Sequence, residues 1–519
     1  GVLMRTAFSP IVRESGDLSV GAFDLEGRML AQAVTGTPGH VNTMAAACAK
    51  FFEAFPRQTM RPGDIYLTND PWLGSGHLND FVVLKPCFQQ ERLIGFVSCT
   101  SHLVDIGGRC LGPDGSDVFD EGLYVPPIRL VDAGNLAELF MTLLKANSRS
   151  PESAEGDVYA LIACCETGEK RLVEMMADFA IDDLAPLAER ILTTCERATR
   201  ERIAALPDGA YDFSMTVDGY DDPITIAARL TITGEDLLLD FHQSAPPSAY
   251  GINVPLNYAE AYTVFGIKCV IAPDIPNNHG SLLPMVVTAA PGTILNAAKP
   301  APVCSRHILG QLLPDVALGC LAQVAPDAVP AEGAATLWDL PMKGVVEATG
   351  EPFAAELVFN GGTGARPAKD GLSATAFPSG VMGSLVEITE STTPILVTRR
   401  ELRPDSGGPG AHRGGLGQII EIEALPGTPL VIYGTVDRVR FPARGRAGGQ
   451  AGACGRFVHS AGTPFMGKGS CTLKPGERLT VFTPGGGGQG PLASRDPADT
   501  ALDLQNGLVT NQAGDHGHG

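Results

Sequence analysis

No stretch of this sequence approaches the roughly 18 uninterrupted apolar residues of a membrane helix, since the best candidate, Val264 to Ala272, is broken by Lys268. That argues against a membrane-spanning role. The 12 cysteines are scattered apart from the Cys164-Cys165 pair, and no CxxC occurs. Reduced thiols fit this better than a disulfide framework, and redox or zinc-finger roles gain no support. Positive charge is scarce: 38 Lys and Arg face 58 Asp and Glu, a net of -20, which repels nucleic acid phosphates and anionic membranes. Small molecules or proteins are the expected partners. Residues Gly1 to Arg13 lack a continuous apolar core followed by a small-residue cleavage site, so a cytoplasmic location is expected. There is no GxSxG and no cysteine in a protease motif, which leaves acyl-enzyme chemistry without an anchor. Gly462 to Gly469 imitates a phosphate-binding P-loop, but Gly469 stands where Ser or Thr is needed and Cys471 to Phe482 reads as strand. It is rejected as an ATP site.

What is present is a chain of 519 residues, 44% hydrophobic and 18% charged, able to bury large cores in roughly two to four domains. Its 62 Gly and 40 Pro lie among apolar segments and indicate ordered turns. Residues 1–135 read as short strands and turns, with runs at Ser19 to Phe23, Asp64 to Thr68, Asp80 to Phe88 and Leu93 to Cys99. From 136 to 206 the pattern is helical, with Leu184, Leu187, Ile191 and Cys195 on one face and Asp182 or Asp183 as cap. Residues 207–340 form a middle α+β region with a hairpin around Gly234-Glu235-Asp236 and helices near 256–271 and 305–324. Residues 341–507 read as a Gly-rich β domain and 508–519 as a flexible tail, its two His explained by fraying. No repeat at solenoid or propeller periods is seen. The fold class is α+β, multi-domain.

The most informative stretch pairs two HxxD units, His77-Leu78-Asn79-Asp80 and His102-Leu103-Val104-Asp105, in a chain with 10 His. Between them lie two strand-like runs joined near Gln89-Gln90. A hairpin with its tip there places His77 opposite His102, with β-carbons about 5 Å apart, close enough to share one metal ion. Asp80 would point to the other face of a regular strand, so it joins only where Leu78 to Asp80 is irregular, as Gly74 and Gly76 suggest. Such a set suits Zn, Mn or Fe. The competing reading, in which these side chains cap strands and hold loops, stays open. Arg438, Arg440, Arg444 and Arg446 crowd a Gly-rich loop; phosphate recognition and a solvated or subunit-contact loop both fit, and the cluster is left unassigned. Gly485 to Gly488 reads as a tight packing loop.

Met4-Arg5-Thr6-Ala7-Phe8-Ser9-Pro10, Glu14 to Ser19, Thr68-Asn69-Asp70-Pro71 and the HxxD units resemble the hydantoinase B/oxoprolinase family. So do Asp274 to Gly280, Gly361 to Gly371, Glu401 to Gly408 and Thr483 to Gly488, in that family's order and over nearly the whole chain. The resemblance implies the metal-carrying subunit of an ATP-dependent amidohydrolase that opens a small cyclic amide, a hydantoin, oxoproline or lactam. It implies a hydantoinase A-type ATPase partner, holding ATP and Mg in an α2β2 assembly, that phosphorylates the amide oxygen before this chain completes hydrolysis at its metal. Metal ligands carried over are Asp17, His77, Asp80 and His102, with Zn or Mn, or Fe, as the ion. Asp105 and Asp70 are carboxylates that would orient an imidazole or accept a proton. Family chains usually begin with an extra helical stretch before the Met-Arg-Thr motif, so the numbering is expected to start inside the natural chain. A ketone carboxylase subunit of the acetone or acetophenone type is the alternative, and a non-catalytic scaffold a distant third.

Overall fold

The computed structural model describes residues 2–33, 36–109 and 112–510; from residue 511 the tail expected to be flexible lies outside the described residues. The chain divides into two compact units, Gly1–Phe213 with Ala227–Arg306, and Ser214–Ile226 with His307–Gly519. Helices and several separate sheets occur, as the α+β expectation required.

In the first unit β1 (Leu18–Phe23), β2 (Met29–Gln32), β3 (Ile65–Thr68), β4 (Asp80–Gln89), β5 (Arg92–His102), β6 (Ile128–Asp132) and β7 (Asn135–Leu136) form one sheet. Its order is β2-β1-β5-β4-β3-β6-β7, antiparallel throughout. Two short helices, α1 (Val2–Thr6) and α2 (Pro10–Arg13), precede it. The central strands are buried on both faces, which explains why they read as continuous apolar runs instead of alternating ones. Side-chain parity sorts the two faces. Val82, Leu84 and Phe96 pack with Val41, Met44 and Phe51 of α3 (Pro38–Ala54). On the other face follow α4 (Glu138–Asn147) and α5 (Pro151–Asp178), and α5 packs on β4 and β5. There Gly168 lies so close that a β-carbon would sit 2.6 Å from Val97, and Lys85 pairs with Glu169 at 3.1 Å.

The β4–β5 hairpin is real, but its register differs from the expected one. The tip is Gln90-Glu91, with Gln90 at φ 57 and Gln89 opposite Arg92, and a bulge beyond Cys87 shifts the ladder so that Asp80, not His77, faces His102. A turn one residue displaced and one inserted residue suffice to move the pairing. His77 lies before β4, in the irregular turns that end at Asn79, which is the irregularity Asp80 needed.

The chain continues through α6 (Ala185–Ala204), β8 (Gly209–Val217), β9 (Ile224–Thr233), β10 (Asp236–Phe241), α7 (Leu256–Ile271), α8 (His279–Leu282) and β11 (Met285–Ala289), all of this unit except Ser214–Ile226, which holds the end of β8 and the start of β9. The face α6 buries is Ala188, Leu192, Cys195, Thr199 and Ile203, rotated from the expected one because small Ala188 and Thr199 line it while Leu187 and Ile191 are half-buried. The N-cap is Leu184 rather than Asp182 or Asp183, though Asp183 just before it accepts the Ala185 amide at 3.1 Å. Asp236 pairs with Thr233, so the β9–β10 turn is Gly234-Glu235, one residue shorter than expected.

The second unit opens with α9 (His307–Gly310) and α10 (Leu313–Leu321) and contains β12 (Trp338–Val346), β13 (Glu351–Phe359), α11 (Val386–Thr392), β14 (Ile395–Leu402), β15 (Gln418–Ala424), β16 (Leu430–Thr435), β17 (Arg456–His459), β18 (Lys468–Leu473), β19 (Arg478–Phe482) and α12 (Pro497–Gln505). Two sheets, β13-β12-β16-β18 and β14-β15-β19-β17, share one core of Trp338, Leu340, Ile420, Ile422, Ile432, Leu473 and Val481. Beside it run extended glycine segments bonded to one another outside any ladder: Gly486 N to Gly415 O, Gly408 N to Gly486 O, Gly488 N to Gln450 O, Gly415 N to Thr363 O. They touch backbone to backbone. A β-carbon on Gly362 would lie 1.8 Å from Gly415 O and one on Gly486 1.9 Å from Thr363 O, so only glycine fits.

Of the arginines of that region Arg438 is buried and Arg446 half-buried, while Arg440 and Arg444 are exposed but tied to the chain. Arg438 is 1% exposed and faces Asp315 and Glu332 at 3.4 and 3.2 Å. Arg444 Nε donates to Glu332 at 2.7 Å, and the Val439 and Arg440 amides to Asp218 at 2.7 and 2.9 Å. These are internal ties.

Candidate metal centre

Three strand ends meet where the central sheet faces α3. His102 closes β5, Asp80 opens β4 directly across from it, and Asp17 precedes β1, whose Leu18 pairs with Ser101. Long-range pairing thus sets Asp17 beside His102, with carboxylate and imidazole 4.0 Å apart at Oδ2 and Nδ1. His40 arrives from the first turn of α3 and His77 from the turn before β4. The rings of His77 and His102 have centroids 5.2 Å apart.

Asp80 is the hub. Its Oδ1 lies 2.9 Å from His77 Nε2 and 3.1 Å from His102 Nδ1, while its Oδ2 receives His40 Nε2 at 2.8 Å and Arg306 Nη2 at 2.7 Å. Burial opposes its charge, but His40, His77, Arg306 and the His102 bond outweigh that and hold its carboxyl well below the usual range. Burial and Arg306 push His77 down to about 4, so its imidazole is neutral at pH 7. Burial works against a charge on His40 too, yet Asp80 and Asp17 together raise it.

His77 Nδ1 donates to the Cys304 carbonyl at 2.9 Å, which fixes the tautomer and leaves a lone pair on Nε2. That Nε2 makes no hydrogen bond among the described residues, although Asp80 Oδ1 is 2.9 Å away. A lone pair and a carboxylate oxygen that close repel unless a cation lies between them. Among the described residues His77, Asp80 and His102 each offer a ligand atom, all within 4.8 Å of one another. Two imidazoles and a carboxylate fit a divalent transition metal.

The profile of the family described as Hydantoinase B/oxoprolinase matches residues 1–492. The chain belongs to the hydantoinase B/oxoprolinase family. Within it, one subunit of a putative D-/L-hydantoinase from a Pseudomonas species is 29% identical over 98% of this chain and 90% of the relative. The crystal structure of the ATP-dependent caprolactamase from Pseudomonas jessenii superposes with a TM-score of 0.88 at 28% identity, over 99% of this chain and 91% of that one. A nucleotide-free acetone carboxylase shares the fold at TM-score 0.89 and 20% identity, over 99% and 76%.

In this hydantoinase B/oxoprolinase chain Asp17 borders the cluster, its Oδ1 taking the Thr37 hydroxyl at 2.9 Å. The expected accessory carboxylates are engaged elsewhere. Asp105 is tied to the Arg149 guanidinium and backbone amide and to the Gly107 amide, and Asp70 to the Trp72 amide and the Tyr124 hydroxyl. The atom that orients His77 is instead a backbone carbonyl. Sequence reading also missed His40 and Arg306. The pair Gly39-His40, which repeats Gly76-His77, was an available signal for the first; nothing local marks the second, 226 residues from Asp80. No helix among the described residues is long and apolar enough to cross a membrane.

Proposed function

We propose that this chain is the metal-binding subunit of an ATP-dependent amidohydrolase that opens a small cyclic amide, a hydantoin, oxoproline or lactam. The observation that carries the reading is the buried His77 Nε2, which makes no hydrogen bond among the described residues although Asp80 Oδ1 is 2.9 Å away. Asp17, His77, Asp80 and His102 would hold the ion, Zn or Mn, with Fe also suited to this donor set. Such an ion supplies Lewis-acid polarisation of a carbonyl or phosphoryl oxygen and acidifies water. The chain's own residues prepare the site. His77 is kept neutral, and His40 and Arg306 grip one oxygen of Asp80 so that the other stays turned toward His77 and His102. In this arrangement His40 and Arg306 take the orienting part that the sequence suggested for Asp70 and Asp105.

ATP and Mg belong to a separate hydantoinase A-type subunit in this reading, in an α2β2 assembly. Residues 462–469 support that division, because they lead into β18 where a phosphate-binding loop needs a helix.

The test is elemental analysis of the wild type beside His77→Ala and His102→Ala, with ATP-dependent ring opening of hydantoins and lactams assayed after adding the ATPase partner. About one transition metal per chain, lost with activity in both variants, is expected. A metal-free, active wild type would sink the reading and leave a scaffold role. Labelled bicarbonate appearing in a ketone-derived product would replace it with a carboxylase role.

A further inference from the structure

His77 and Asp80, three residues apart, are both held from one distant stretch, Val303 to Arg306. Cys304 O accepts the His77 Nδ1 proton at 2.9 Å, and Arg306 reaches Asp80 Oδ2 at 2.7 Å and Ser75 O at 2.9 Å. The Arg306 guanidinium lies over the Tyr258 ring, 4.3 Å from its centroid. The backbone at Gly76, φ 85, presses on the same ring, where a β-carbon would come within 3.0 Å of Tyr258.

The stretch is itself pinned by one side chain. Glu121 Oε1 accepts both the Val303 and the Cys304 amides, each at 2.7 Å. Glu121 is fully buried, and its Oε2 has no hydrogen-bond partner among the described residues. An unpartnered buried carboxyl oxygen is costly, and a need confined to packing would be met as well by an apolar side chain. Gly115 and Gly251 close around it, with β-carbons that would lie 3.2 and 3.1 Å from Glu121 atoms.

We infer that Glu121 is a positioning residue of the metal centre: by fixing the Val303 and Cys304 amides it aims the Cys304 carbonyl that selects the His77 tautomer and so sets affinity for the ion. The inference rests on the metal reading above. What Glu121 supplies is reach and an acceptor rather than charge: burial, only partly offset by the two amides, pushes its carboxyl up to about 8. At pH 7 it is mostly neutral, and glutamine is its mimic.

The experiment uses the full chain, Zn2+ titrated alone, and ring-15N NMR of His77, for wild type, Glu121→Gln, Glu121→Asp and Glu121→Met. Glu121→Gln is expected to keep the Nδ1-protonated His77 and bind Zn2+ within about threefold of wild type, whereas Glu121→Met loses that tautomer and binds about 10 to 100 times more weakly. Glu121→Asp retains the carboxylate but is one methylene too short to reach both amides, and falls between them. A Met variant with wild-type tautomer and affinity overturns the inference, as does an Asp variant that outperforms Gln. Should the Met variant not fold, the order of Gln and Asp decides. A wild type that binds no Zn2+ defeats the metal reading, while the His77 tautomer still decides the part of Glu121.

Discussion

Each unit of the molecule buries a knot of charge, and the two knots are built from different chemistry. In the second unit Asp315, Glu332 and Asp218 meet Arg438, Arg444 and backbone amides. Guanidinium is always protonated and is rich in directed donors, so these acids have answers within the chain. In the first unit Asp80 meets three imidazoles and one guanidinium, and one of those imidazoles is neutral with its Nε2 2.9 Å from the carboxylate and no hydrogen bond to it. In the first knot His77 Nε2 and Asp80 Oδ1 stand together with no hydrogen bond between them, whereas each of these acids of the second has a donor. Burial of acids is thus no guide to a ligand; the protonation chemistry of what faces them is.

The comparison can be broken by substitution. Arg438→Ala should cost about 3–5 kcal/mol in denaturant unfolding, because it takes the guanidinium from buried Asp315 and leaves Glu332 to Arg444, and should leave metal content of the folded chain unchanged. Metal loss there would mean the two knots are not separate in kind. His77→Ala and His102→Ala should do the reverse, weakening metal binding more than about 100-fold in a chain that still folds. Arg306→Lys retains the charge but cannot reach Asp80 Oδ2 and Ser75 O together; a loss of about tenfold in metal affinity is expected, and an unchanged titration would reduce Arg306 to a simple counter-charge.

A further effect concerns pH. Glu121 is raised by burial from its ordinary 4.5 to about 8, so the folded chain holds a proton that the unfolded chain releases. Its contribution to stability is therefore complete below pH 4.5 and is lost as pH rises through about 8. Glu121→Gln should be less sensitive than wild type in unfolding measurements at pH 5 and pH 8, and an identical slope would refute the assignment.

Much of the fold was legible locally. The β4 and β5 runs, the helices of residues 136–206 and the β-rich second half follow from apolar patterning and turn residues. Register was not legible: the Gln90-Glu91 tip moves the pairing by two residues and the bulge after Cys87 by one more, and neither leaves a strong mark in composition. His77 and His102 do lie together, though for a different reason from the hairpin argument, since Asp80 takes the cross-strand place. The partners of the site were hidden by distance. Asp17 depends on β1 pairing with β5, and Arg306 on contacts across more than half of the chain before it. Arg438 stayed unassigned for the same reason, because its acids are at 315 and 332.

The glycine segments of the second unit have a consequence of another order. Where Gly362, Gly415 and Gly486 lie backbone on backbone, the sequence carries its instruction in missing atoms, and no replacement amino acid is a conservative one. Such a region has no side-chain alphabet in which to drift. Mutational libraries that randomise it would yield almost wholly unfolded chains, whereas composition alone would have recommended it as a tolerant linker.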